Sequence, residues 1–216
     1  MKLKILIASS LCFTNLVTFP SQTNALEPIS TTIGTVAVIT GLFYYFSPPK
    51  EQCHSRASSE WIIYKPDFTL LKQRMFGQHI AVNDALKIVT QHLADDSPSK
   101  ALVLSFHGDT GVGKTFFAEN LASAIYRNYS QTGRSRFVHK LRATHFLTTN
   151  FESTRRTFLR FIQDGLRQCE RSLFIIEEID KYPVGLLDSL IPFVESDVVI
   201  AGKTYNSRKS IFILLS

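Results

Sequence analysis

The sequence has little that would organise a metal centre. It holds three cysteines in 216 residues, with no C-x-x-C and no H-E-x-x-H, which removes the common zinc frameworks. Its six histidines are scattered and read as structural. Charge of either sign is also in short supply. The formal balance is +6, and loss of residues 1–25 would take Lys2 and Lys4 and no acid, leaving +4. Without a basic-aromatic module beside it, that excess gives no support for nucleic-acid binding. Arg155, Arg156 and Arg160 read as a solvated helix face. What is plentiful is apolar: 44% of residues are hydrophobic, which suits a globular core and not a disordered tail.

Residues 1–25 have the form of a secretory signal. Lys2 and Lys4 supply the positive start, Ile5–Phe13 the short apolar core, and Thr23-Asn24-Ala25 the small residues of a cleavage site. Cys12 lies in that leader, so Cys53 and Cys169 would remain, either as one disulfide in an oxidising compartment or as two thiols. A second uncharged apolar segment, Ile29–Phe46, fills most of residues 26–49. It is slightly short of the ~20 residues a spanning helix needs. Pro48-Pro49 and a polar linker over residues 50–60 separate it from the domain, which disfavours a core helix. Association with the lumenal leaflet through residues 29–46 fits best, with a span as the next reading.

Residues 61–216 carry the domain. The run Ala101–Phe106 leads into Gly108-Asp109-Thr110-Gly111-Val112-Gly113-Lys114-Thr115. This is G-x-x-x-x-G-K-[ST], a phosphate-binding loop between a buried strand and a helix. Glycines let backbone N–H groups curl around an anion. Lys114 is placed to reach the β- and γ-phosphates of ATP, and the Thr115 hydroxyl to reach Mg²⁺. The helical pattern after it runs to about Tyr126. Before it, Val82, Ala85, Leu86, Val89 and Leu93 recur at helical spacing, preceded by Phe76-Gly77-Gln78-His79, where Phe76 and Gly77 suggest an adenine-side pocket.

Arg136–Arg142 alternates like a strand, and Phe158, Leu159, Ile162 and Leu166 mark an amphipathic helix. Asn128-Tyr129-Ser130 is a glycosylation sequon placed in a polar turn. The run Leu173–Ile176 ends in Glu177-Glu178. In nucleotide hydrolases a buried strand ends in acids that serve Mg²⁺ and water. Glu177 takes the metal position, directly or through water, and Glu178 the position that polarises the attacking water. Further on, Leu187, Leu190, Ile191 and Val194 suggest another helical face, Lys203–Lys209 a polar turn, and Ile211–Leu215 a last buried strand.

Together these pieces resemble the torsins, AAA+ ATPases of the endoplasmic reticulum lumen and nuclear envelope. The likeness rests on Leu26-Glu27-Pro28-Ile29-Ser30, Phe76-Gly77-Gln78-His79 and the phosphate loop. It continues through Cys169-Glu170-Arg171-Ser172, Ile179-Asp180-Lys181, Gly185-Leu186-Leu187-Asp188 and Pro192-Phe193. The resemblance implies an α/β fold: a doubly wound parallel sheet flanked by helices, in the strand order 5-1-4-3-2, followed by a helical lid. It implies an ATPase that is activated by lumenal domains of lamina-associated-type membrane proteins, which supply an arginine. It also implies membrane association in one leaflet, allows a homo-oligomer, and suggests that Cys53 and Cys169 pair.

The sequence departs from the pattern at three places. Thr115 stands where many torsins carry Asn, and Glu177 where the usual residue is Asp. The third is that the chain reaches Ser216 where a polar sensor and the lid would come next, so a C-terminally truncated ATPase is expected, with its first strand left as an exposed edge. A nucleotide- or partner-binding fragment without turnover is the alternative. A phosphate-loop kinase is the third reading, which the acidic pair disfavours.

Overall fold

The computed structural model describes Cys53 and residues 62–63, 65–146, 150–195, 197–200 and 202–216, all within the compact unit Lys50–Ser216. The expected leader, the apolar segment and all of the linker but Cys53 lie outside the described residues.

Helices α1 (Thr69–Arg74) and α2 (His79–Ala94) come first, then strand β1 (Leu102–Phe106) and helices α3 (Lys114–Ile125) and α4 (Arg127–Thr132). Strand β2 (Val138–Arg142), helix α5 (Phe151–Gln168) and strand β3 (Leu173–Glu177) come after them. A short helix α6 (Ile191–Glu195), a hairpin of β4 (Val198–Ile200) and β5 (Lys203–Tyr205), and strand β6 (Ile211–Leu215) complete the unit. Four strands form a parallel sheet in the order β1-β6-β3-β2. The last strand therefore sits between the first and third, as the family order implies, and β1 stands at an edge. The α/β fold with a helix-flanked parallel sheet is as expected.

Alternation within the strands makes the two-sided core. Leu173 and Ile175 of β3, with Ile211, Ile213 and Leu215 of β6, pack against Val82, Val89, Phe117, Leu121 and Ile125 from α2 and α3. The intervening Phe174, Ile176 and Phe212 face Phe158, Ile162 and Leu166 of α5. A strand buried on both faces reads as an unbroken apolar run, which is why Leu173–Ile176 could be recognised. Each such side chain contributes roughly 1.5–3 kcal/mol by burial. Helix α5 starts where Asn150 accepts a hydrogen bond from the Ser153 amide at 3.1 Å, satisfying one of the first-turn N–H groups. Gly165 on α5 is required by packing, since a Cβ there would meet the Phe174 ring at 2.5 Å.

Three expectations are corrected. The sequon Asn128-Tyr129-Ser130 lies in α4, not in a turn, where Tyr129 buries its ring against the core. The face read over residues 187–194 is not one helix. A 3-10 turn, Leu187–Leu190, hands over to α6, because Pro192 has no N–H to continue the ladder. The residues turned inward are Leu186, Leu190 and Phe193, while Ile191 is half exposed. Finally, Lys203–Lys209 is not all turn. Gly202, at φ +74°, reverses the chain so that Lys203–Tyr205 pairs antiparallel with Val198–Ile200, and Tyr205 is buried beneath Arg167.

Cys53 and Cys169 are joined in a disulfide, Cα to Cα 5.2 Å, across a separation of 116 residues. Closing so long a loop restricts the unfolded chain and is worth roughly 2–4 kcal/mol. Unreduced protein should show neither cysteine reactive to a thiol reagent after denaturation, and reduction should lower the urea midpoint; two free thiols would contradict the bridge. A second prediction concerns acid. His139 stacks on Phe174 (5.1 Å) and meets Phe161 edge-on, and burial lowers its pKa from 6.5 to about 4. The unfolded chain takes up a proton between those values that the folded chain refuses. Stability is therefore complete above pH 6.5 and falls as pH drops toward 4, by up to about 3 kcal/mol. His139→Leu should flatten this part of the pH dependence in urea melts.

Candidate functional site

The parallel register sets the site. Phe106, Leu215, Glu177 and Arg142 are Cα partners across the sheet, and each ends its strand. The loop after β1 and the acids after β3 therefore open on the same edge. They line one cavity of about 880 Å³, together with Arg142, Thr144, Asp180, Lys181, Leu215 and Ser216.

The loop is shaped by backbone that side chains rarely allow. Gly111 and Gly113 have φ of +89° and +98°, the left-handed region glycine enters without penalty. Gly113 is also the N-cap residue that immediately precedes α3. The helix consequently points its N–H-rich, positive end into the cavity. Lys114 Nζ folds over the loop, donating to the carbonyls of Gly108 (2.5 Å) and Asp109 (2.8 Å). Thr115, in the first turn of α3, is exposed to the cavity. Gly108, Asp109, Thr110 and Gly111 also line it; Val112 does not, but faces a smaller apolar hollow with Met75 and Gln78.

Phe76 and Gly77 line neither space. Phe76 is 89% exposed, and its neighbours Met75 and Gln78 are the ones turned toward the loop. Gly77, at φ +74°, is where the chain turns between α1 and α2.

The acids are unevenly satisfied. Glu177 is buried; its Oε2 accepts from Arg142 Nε, and its Oε1 has no hydrogen-bond partner. Glu178 accepts from Lys181 Nζ at 2.8 Å through Oε1, and its Oε2 is buried without a partner. Its backbone is left-handed, at φ +59°, unlike any other non-glycine residue described. Such a conformation costs on the order of 1–3 kcal/mol and gathers at functional sites. The Tyr182 hydroxyl is buried near both acids; burial first, then the two carboxylates, raises its pKa above the ordinary phenol value.

These features fit a nucleoside triphosphate with a divalent cation. A Cβ at the left-handed glycines would strain the cradle, and two buried carboxylate oxygens lack the partner that buried acceptors require. Glu177 Oε1 and the Thr115 hydroxyl are the groups available to Mg²⁺ or to its water. The motif did not point to Arg142, Thr144, Asp180 or Lys181. The signal for Arg142 was its place at the end of a strand expected beside β3.

The torsin family model matches residues 50–176. The chain belongs to the torsin family. It is 35% identical to a torsin-like protein of Drosophila melanogaster, an alignment covering 96% of this chain and 60% of that relative. The torsin chain thus spans about 60% of the length of the curated relative it matches. Its fold is similar to that of the S. cerevisiae Hsp104:casein complex in its extended conformation, with a TM-score of 0.50 and 18% identity over 75% of this chain and 29% of that one. That likeness concerns the fold alone, an AAA+ parallel sheet flanked by helices.

If Lys114 serves phosphate, Lys114→Ala should weaken ATP binding by at least about tenfold, as expected for losing a charge-assisted hydrogen bond. Titration of a fluorescent ATP analogue would measure this, and unchanged affinity would remove Lys114 from the site.

Proposed function

We propose that this torsin chain binds and hydrolyses ATP, coupling turnover to the remodelling of proteins or membranes in the endoplasmic reticulum lumen and perinuclear space. One observation carries the reading: the phosphate loop and the Glu177-Glu178 couplet line a single cavity.

Backbone amides of Gly108–Thr115 hold the phosphates, and Lys114 neutralises their charge. Phosphoryl transfer needs positioning and charge neutralisation more than covalent chemistry, and Mg²⁺ supplies part of that neutralisation when bound. Thr115 and Glu177 hold the ion, directly or through water. Glu178 orients the attacking water through Oε2, while Lys181 fixes its other oxygen. The buried Tyr182 ring packs against Phe146 and Phe158, which anchors the chain just after this turn in the core.

Lumenal domains of lamina-associated-type membrane proteins are the proposed activators, contributing an arginine at the shared nucleotide site, and a homo-oligomer is compatible with this arrangement. The disulfide supports an oxidising compartment. Contact with one membrane leaflet is assigned to residues 29–46, outside the described residues; among the described residues no helix is long and apolar enough to cross a membrane.

One observation favours nucleotide binding without turnover: Arg142 already occupies an oxygen of Glu177. An assay of this polypeptide with and without the lumenal activator separates the two readings. Stimulated phosphate release supports hydrolysis. In that assay Glu178→Gln should lower turnover on the order of 10²-fold while ATP stays bound; undiminished turnover would remove Glu178 from the role.

A further inference from the structure

Nothing in the phosphate-loop pattern requires a cation at the end of β2, yet Arg142 stands there. Strand register makes it the Cα partner of Glu177, and its Nε donates to Glu177 Oε2. The guanidinium lines the same cavity as Lys114 and Thr115. Its side chain is 57% exposed, against 7% for Glu177, and its two terminal nitrogens make no hydrogen bond among the described residues. The pair is therefore lopsided. A buried carboxylate has one oxygen on a positive charge and the other, Oε1, unpartnered, while the cation lies more than half exposed on the wall of the cavity.

Electrostatics give this arrangement a consequence. A triphosphate entering beside Glu177 and Glu178 meets like charge, which opposes binding unless a cation intervenes. In a phosphate-loop site that cation is ordinarily the divalent metal. Here a guanidinium already neutralises the carboxylate at the metal position, and its planar fork offers donors suited to phosphate oxygens.

We propose that Arg142 is a positioning residue that stands in for the divalent cation at Glu177, holding one carboxylate oxygen and relaxing the dependence of nucleotide binding on Mg²⁺. The inference rests on the nucleotide-binding reading above. With Arg142 on Oε2, less negative charge is left for Mg²⁺ to meet at Oε1, so the pair sets how strongly nucleotide affinity varies with the metal.

The test compares the dissociation constant of a fluorescent ATP analogue in excess Mg²⁺ with that in EDTA, using the 216-residue chain with its disulfide intact. EDTA should weaken binding to the unmodified chain only about threefold or less, and to Arg142→Gln by about tenfold or more, the loss expected for a charged pair left uncompensated. Arg142→Lys, which keeps the charge, should retain the unmodified ratio. As a check independent of nucleotide, Mg²⁺ alone should raise the melting temperature of Arg142→Gln more than that of the unmodified chain. An equal EDTA ratio in the unmodified chain and Arg142→Gln, a Lys variant that behaves like Gln, or an equal Mg²⁺ shift would each overturn the role of Arg142 while leaving nucleotide binding intact. An unmodified chain that binds no nucleotide in either buffer would overturn both.

Discussion

Parallel pairing in register is the constraint on which the site depends. β1, β6, β3 and β2 all run the same way, and their last residues stand abreast. Each crossover must then return the chain to the opposite end of the sheet, so the segments leaving the strands collect on one edge. This is the general address of ligand sites in open α/β sheets. A one-residue slip between β3 and β6 would turn every β3 side chain to the other face and carry Glu177 away from the cavity. The interdigitated core, Phe174 stacked on Phe212 at 4.8 Å and set over Gly165, opposes such a slip.

Against that rigid sheet, the site is locally strained and incompletely satisfied. Glu178 is held left-handed, and Glu177 and Glu178 each keep an unpartnered oxygen. Neither feature stabilises the fold. Both are sustained by the buried strand β3 and by the aromatic group of Phe146, Phe158 and Tyr182 beside the turn. A core that tolerates these costs leaves the cavity polar and open to charge, which suits a ligand that is itself highly charged.

Much of this was legible in the residues. The phosphate loop declares itself because its glycines answer a backbone demand, and β3 and β6 because a strand covered on both faces must be apolar throughout. The five inward residues of α2, from Val82 to Leu93, were readable from spacing and all are buried. Other features depended on partners distant in sequence. The β4-β5 hairpin is too short to announce itself by period, and Pro192 breaks a pattern that otherwise looks helical. Phe76 was singled out by its neighbours Gly77 and Gln78, but the turn at Gly77 leaves its ring in solvent and brings Met75 to the loop. The Arg142–Glu177 pair required knowing which strands are adjacent and in what register, information that no single segment contains.

The bridge between Cys53 and Cys169 encloses the whole phosphate loop and stops just short of β3. A protease that cut the chain anywhere from α3 to α5 would sever the loop from the acids along the backbone, yet the sulfurs would still hold the two pieces in one molecule. The nicked protein would migrate as a single species until a reductant was added. Both halves of the cavity would travel together wherever the nicked chain was carried.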